Sequence, residues 1–320
     1  MTAPRETQPL LGALERLDEQ LRSLPLPLEV ADAEAARRLR QQIADQLDDY
    51  VLPRLRRIDA PLLAVVGGPT GAGKSTLVNS LVGVRISASG VIRPTTRSAV
   101  LVHHPDDAPF FDDRRVLPGL ERTTRSSTDP STIQLVATPE LPSGLALLDA
   151  PDIDSVVTTN RELATQLLAA ADMWLFVTTA ARYADAVPWD LLSAANARAA
   201  VVAVVLDRVP PEAIDDIRSH LASMLAEQAL GDAPLFVVPE TVPHDSLLPA
   251  AAVEPVRTWL RSLASDNVAR AAVVRQTLDG AIASLSSRVF DLADAADAQA
   301  DAARRLRRDV DFAYDEALRR

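Results

Sequence analysis

Apolar residues in the first sixty positions recur at three- and four-residue spacing: Leu10, Leu14, Leu17, Leu21 and Leu24, then Ala35, Leu39, Ile43 and Leu47. That period puts one apolar stripe on each of two helices, and Pro25 and Pro27 stand between them. From Pro61 the period changes. Leu62 to Val66 is a short, fully apolar run closed by Gly67-Gly68, the pattern of a strand buried on both faces of a parallel sheet. Similar runs follow at 99–102, 133–136, 145–148, 174–177, 201–206 and 235–238, with helical stretches at 75–82, 161–171, 187–197 and 211–228. Strands alternating with helices predict an α/β sheet covered on both faces. The segment 105–130, rich in Asp, Arg, Pro, Ser and Thr, interrupts this rhythm and reads as an exposed, mobile insertion. After Val253 no strand pattern returns, and Val273, Leu278, Ile282, Leu285, Val289 and Leu292 mark one long amphipathic helix. The final Leu318-Arg319-Arg320 lies inside that helical pattern without a cap, as the end of a fragment would. The pattern divides the chain into N-terminal helices over 1–60, an α/β domain over 61–250 and C-terminal helices over 251–320.

Composition narrows the classes of function. A net charge of −11 over 320 residues repels phosphate backbones, so general nucleic-acid binding is not expected. With no cysteine, thiolate metal sites, cysteine nucleophiles and disulfides are excluded. No apolar stretch reaches the roughly 18 residues of a membrane helix, and the start lacks a signal-peptide pattern. A cytoplasmic chain is the expectation. Of the 33 basic residues, 32 are Arg and one, Lys74, is Lys. A lysine that survives so strong a bias calls for a chemical reason.

The reason lies in Gly68-Pro69-Thr70-Gly71-Ala72-Gly73-Lys74-Ser75, which fits G-x-x-x-x-G-K-[ST] directly after a strand and before a helix. Glycines let the backbone turn its N–H groups around phosphates, and the helix that follows adds its positive N-terminal end. Lys74 would reach the β- and γ-phosphates while the Ser75 hydroxyl coordinates Mg²⁺; Thr76 completes the loop's contact set. Arginine, planar and bulky, cannot replace that lysine. A second signal is Leu145-Ala-Leu-Leu-Asp149-Ala-Pro-Asp152, an apolar strand that delivers Asp149 to the sheet edge where ligands collect, suited to a metal role. A third is Arg93-Pro-Thr95-Thr96-Arg97. There Thr96 would complete the metal shell when the γ-phosphate is present, which makes the segment a switch. His103 and His104 read as surface residues at a strand end; Trp174, Phe176 and Trp189 read as core; Arg182 and Asp185 are candidates for contact with a nucleotide or partner, against a solvated loop; and Arg304 to Arg308 for contact with acidic lipid, against a solvated helix face.

Gly-Lys-Ser-Thr-Leu-Val-Asn-Ser-Leu-Val-Gly at 73–83, Pro-Thr-Thr-Arg at 94–97 and Leu-Leu-Asp-Ala-Pro at 147–151 together resemble the translation-factor-related GTPases, especially the Era-like and dynamin-like branches. The flanking helices favour the bacterial dynamin-like branch, and the Ala- and Arg-rich style is similar to its actinobacterial members. The resemblance implies a Ras-like P-loop NTPase mixed sheet flanked by helices, with a helical bundle formed by the N- and C-terminal segments. It implies Mg²⁺-dependent hydrolysis of GTP to GDP, a homo- or hetero-dimer through the GTPase face, and peripheral membrane contact at the inner face of the cell membrane through a region beyond Arg320. Two departures stand out. Where the branch has Asp-x-x-Gly, this chain has Asp152 and then Ile153 in place of a water-positioning glutamine. The Asp152 carboxylate would add charge near phosphate unless it points away. At the base-reading motif, Asp207 and Arg208 stand for the first two residues, with Arg208 flattened against the purine, and Pro210 replaces the aspartate that reads guanine. An ATPase and a nucleotide-binding scaffold with little turnover therefore remain open.

Overall fold

The computed structural model describes residues 7–86, 98–112, 116–154, 158–197 and 200–320. Helix α1 (Gln8–Ser23) and helix α2 (Ala33–Gln46) carry the two predicted stripes. A π-helical turn over Leu47–Val51 leads into α3 (Leu52–Arg56). Pro53 has no N–H for the regular ladder, and one residue before it the Leu52 N–H reaches back to the Leu47 carbonyl.

The alternating region forms β1 (Leu62–Gly67), α4 (Lys74–Val82), β2 (Ala99–His103), the short α5 (Ala108–Phe111), β3 (Glu121–Thr123), β4 (Thr132–Ala137), β5 (Leu145–Asp149), α6 (Thr158–Ala169), β6 (Met173–Thr179), α7 (Ala186–Ala197), β7 (Val201–Val209), α8 (Ile214–Glu227) and β8 (Leu235–Pro239). The strands make one eight-stranded sheet in the order β3-β4-β2-β5-β1-β6-β7-β8. Among the described strand pairs of this sheet, only β2–β5 is antiparallel. This is the mixed, helix-flanked sheet of the Ras-like P-loop fold, widened at one edge by β3 and β4.

Along β1 the side chains alternate between two cores, which is why its sequence is apolar at every position. Leu63 and Val65 face a layer with Leu163 and Leu167 of α6, Leu192 of α7 and Leu221 of α8. Leu62, Ala64 and Val66 face Leu77 and Val78 of α4 and Val253, Val256 and Leu260 of α9 (Ala250–Ser265). A third core is the helical bundle, where Leu14, Leu21, Ile43, Leu47 and Leu55 meet Leu278, Leu285 and Leu292 of α10 (Asn267–Leu318).

One buried residue joins bundle to sheet. Asp172, just before β6, accepts from Arg54 Nη2 and from the Leu63 N–H, each at 2.7 Å, while Thr277 of α10 donates to its carbonyl at 2.7 Å.

Two sequence expectations need correction. The segment 105–130 is not simply an exposed insertion: it supplies α5 and β3, and buries Asp107, Phe111, Leu117 and Leu120. Asp107 accepts from the Ser143 hydroxyl and the Gly144 N–H, which ties the segment to the turn before β5. His103 is likewise not a surface residue, being 2% exposed with its ring 5.4 Å from that of Phe111.

Candidate nucleotide site

Strands β1, β5, β6 and β7 run parallel or reach β1 through parallel pairs, so their C-terminal ends share one edge of the sheet. That edge is where ligands bind in open α/β sheets. The loop Gly68–Gly73 leaves β1 there and enters α4. Gly68 has φ +155°, and a Cβ on it would strike the Val177 carbonyl; Gly73 has φ +95°, and a Cβ on it would stand 2.5 Å from Asp207 Oδ2. The glycines are therefore set by close backbone approach as well as by backbone conformation.

Lys74 opens α4 and is 5% exposed. Its ammonium donates to the carbonyls of Gly68 at 2.9 Å and Pro69 at 3.1 Å, and to Asp152 Oδ1 at 2.5 Å. The Asp152 carboxylate thus points at the loop's only cation and not away from it. Ser75 and Thr76 follow on the first turn of α4. Asp149 ends β5, fully buried, in register with Val66 of β1. A serine hydroxyl and a carboxylate are hard oxygen donors, the kind that hold Mg²⁺ together with phosphate and water oxygens. The residues present fit that ion.

A second group of contacts ties the loop to neighbouring strand ends. Asp154 accepts from the Thr70 N–H at 2.5 Å, from the Thr70 hydroxyl at 2.7 Å and from Arg182 Nη2 at 2.8 Å. Burial opposes ionisation of Asp154, but the bonds from Thr70 and Arg182 outweigh it and hold its carboxyl below the usual range. Arg182 also donates to the Thr70 carbonyl at 2.9 Å and to Asp185 at 2.8 Å. Arg182 is therefore held against the loop, as the nucleotide-proximal alternative has it, while Asp185 stays largely open to solvent. Between the two aspartates Ile153 is 5% exposed and borders a small cavity with Leu168, Trp174 and Phe176 beneath Gly67 and Gly68.

At the end of β7, Asp207 packs under Gly73, and burial pushes its carboxyl up to about 6 against the opposing bond from the Arg208 N–H. Arg208 takes φ +55° and turns its guanidinium to the Gly71 carbonyl. Pro210 precedes a short helical turn, Pro211–Ala213. Trp174 and Phe176 are core residues, each 4% exposed.

The structure thus brings together Gly68, Pro69, Thr70, Gly71, Ala72, Gly73, Lys74, Asp207 and Arg208, with Ser75, Thr76 and Asp149 adjoining. Thr95 and Thr96 lie outside the described residues. Sequence reasoning missed Asp154. The available signal was a third acid, five residues after Asp149, in a stretch where each acid costs charge repulsion with phosphate.

No family model matches the chain. Over 133 residues it is 26% identical to a probable transmembrane GTPase, FZO-like, chloroplastic, from Arabidopsis thaliana; the match takes in 41% of this chain and 13% of that protein. Among solved structures it is similar to a protein of an oligomerised bacterial dynamin pair described as sensing and tethering membranes, at TM-score 0.47 and 14% identity over 88% of this chain and 56% of that one. It is also similar to Era from Aquifex aeolicus bound to GDP and AlF4−, at TM-score 0.39 and 20% identity over 62% of this chain and 56% of that one. The chain spans about half the length of these two structures and a small part of the plant protein. What it resembles is a set of P-loop GTPases that includes dynamin-like proteins.

Proposed function

We propose that the chain binds GTP with Mg²⁺ and hydrolyses it to GDP and phosphate, acting as a dynamin-like switch. One observation carries the reading: the chain's single lysine is buried where a glycine loop from β1 enters α4, at the sheet edge that also carries the strand-end Asp149. Loop amides and Lys74 would neutralise the phosphates, and Ser75, Asp149 and Thr96 would hold the ion. Bound Mg²⁺ would supply positive charge at the oxygens where negative charge develops. Catalysis in such sites comes from positioning and charge stabilisation, with water attacking the γ-phosphate in line. Ile153 is buried and cannot orient that water, so turnover would depend on a group from elsewhere, such as a second copy meeting the GTPase face.

The guanine assignment rests on the likeness to GTPases and not on Asp207 and Arg208, which contact Gly73 and Gly71 of the loop while Pro210 stands where the guanine-reading aspartate would be. Coupling to membranes belongs to the same proposal, with support from the bundle joined to the sheet through Asp172 and from the name of the plant relative. Among the described residues, no helix is long and apolar enough to cross a membrane. A second reading, a scaffold that binds nucleotide with little turnover, is favoured by the Lys74–Asp152 pair and by Ile153.

Fluorescent GTP, GDP and ATP titrated with Mg²⁺ test the proposal, alongside phosphate release at rising protein concentration. Guanine-selective binding, turnover that rises with concentration, and loss of binding in Lys74→Ala are expected. ATP preference overturns the guanine assignment, binding without turnover favours the scaffold, and unchanged binding in Lys74→Ala overturns the site.

A further inference from the structure

Residues Asp152–Ile153–Asp154 lie across the phosphate loop as a strap fastened at three points. Asp152 holds Lys74 Nζ at 2.5 Å, Asp154 holds the Thr70 N–H and hydroxyl, and Ile153 is buried between them, lining the small apolar cavity beneath Gly67 and Gly68. The Ile153 N–H also faces the Gly68 carbonyl at 3.5 Å. Lys74 and the loop N–H groups are the donors that phosphate oxygens require. Two of them are here engaged by carboxylate oxygens, which have the same charge sign and hydrogen-bond chemistry as phosphate.

We infer that this strap is an internal competitor of the nucleotide: Asp152 and Asp154 occupy phosphate donors of the loop, and a triphosphate binds only when the strap releases them. Asp152 is then the residue that sets affinity for the triphosphate. The inference rests on the proposed nucleotide site and adds a determinant within it. Two charges explain its direction. A phosphate that reached Lys74 with Asp152 still in place would meet a like charge in a partly desolvated site, where repulsion is strong. Without any anion, the 5%-exposed ammonium would be buried with only two carbonyls for partners, and an uncompensated buried charge is destabilising. Asp152 therefore stabilises the empty loop and opposes the filled one. Arg182, bonded to both Asp154 and the Thr70 carbonyl, links the strap to the end of β6.

The test uses the full chain with Asp152→Asn, Asp154→Asn and the double variant. Mg²⁺-GTP and Mg²⁺-GDP affinities are measured together with melting temperature, with and without nucleotide. The expected result is GTP affinity raised at least tenfold in Asp152→Asn, a smaller gain for GDP, and a lower melting temperature without nucleotide that is recovered when GTP is added. Unchanged or weakened GTP affinity in a variant that melts normally, while the wild type binds in a Lys74-dependent way, overturns the strap and leaves the site standing. Absence of binding in wild type and all variants overturns both. Binding that appears only when the carboxylates are removed supports both.

Discussion

Asp207 shows at the scale of one residue how tertiary burial gives a side chain a titration of its own. Its carboxyl, raised from 3.8 to about 6 by burial, binds a proton more tightly in the folded than in the unfolded chain. Its contribution to stability is therefore fully present below pH 4 and is lost as pH rises through about 6. At about 1.4 kcal/mol per pK unit, the loss is about 3 kcal/mol by neutral pH. Asp207→Asn keeps an acceptor for the Arg208 N–H and removes the charge. The variant should be more stable than wild type by about 1–3 kcal/mol at pH 7.5, with the gain shrinking towards pH 4, as read by urea denaturation at several pH values. The lysine was legible from composition alone, because one lysine among 33 basic residues sits in a phosphate-loop motif. The environment of Asp207 was not, because it is packed against Gly73, 134 positions earlier in the chain.

Among elements, the loop between β1 and α4 depends on two close approaches. Gly73→Ala would force a Cβ to within 2.5 Å of Asp207 Oδ2 at a φ of +95°. The strain should cost about 1–3 kcal/mol in thermal or chemical unfolding and weaken nucleotide binding together with stability. The junction of α3 with β1 and β6 depends on charge. Arg54 and Asp172 side chains are 7% and 3% exposed and pair at 2.7 Å. Removal of one partner leaves an uncompensated buried charge, so Arg54→Met should destabilise the fold by about 3–5 kcal/mol. The paired variant Arg54→Met with Asp172→Asn should recover part of that loss in a double-mutant cycle. Element types were readable where periods were clean: all seven predicted strands and the helices between them are present. The eighth strand, β3, has three residues and no apolar alternation. It exists because β4 offers an edge to pair with, a property of the sheet and not of the segment.

Over the whole molecule, three cores meet through shared elements. Helix α10 sends Val274 into the sheet core and Leu285 into the bundle core, while Asp172 bonds to α3, β1 and α10 at once. Leu285→Ala should cost about 2–5 kcal/mol through lost burial and a residual cavity. Far-UV circular dichroism, dominated by helices, and the fluorescence of Trp174, Trp189 and Trp259, all packed on the sheet, should still report one coincident transition. Two separated transitions would show that bundle and sheet fold independently. The sequence by itself determined the α/β alternation, the glycine loop between β1 and α4, the strand-end Asp149 and the long C-terminal helix, because these are periods and spacings within a few turns of chain. Only the tertiary structure decided that Asp152 engages Lys74, that Asp154 and Arg182 lock onto Thr70, that His103 is buried, and that Asp172 joins bundle to sheet. Those contacts join residues 78 to 112 positions apart in most cases. They arise because parallel strands bring distant loops to the same sheet edge, a proximity that no local period encodes.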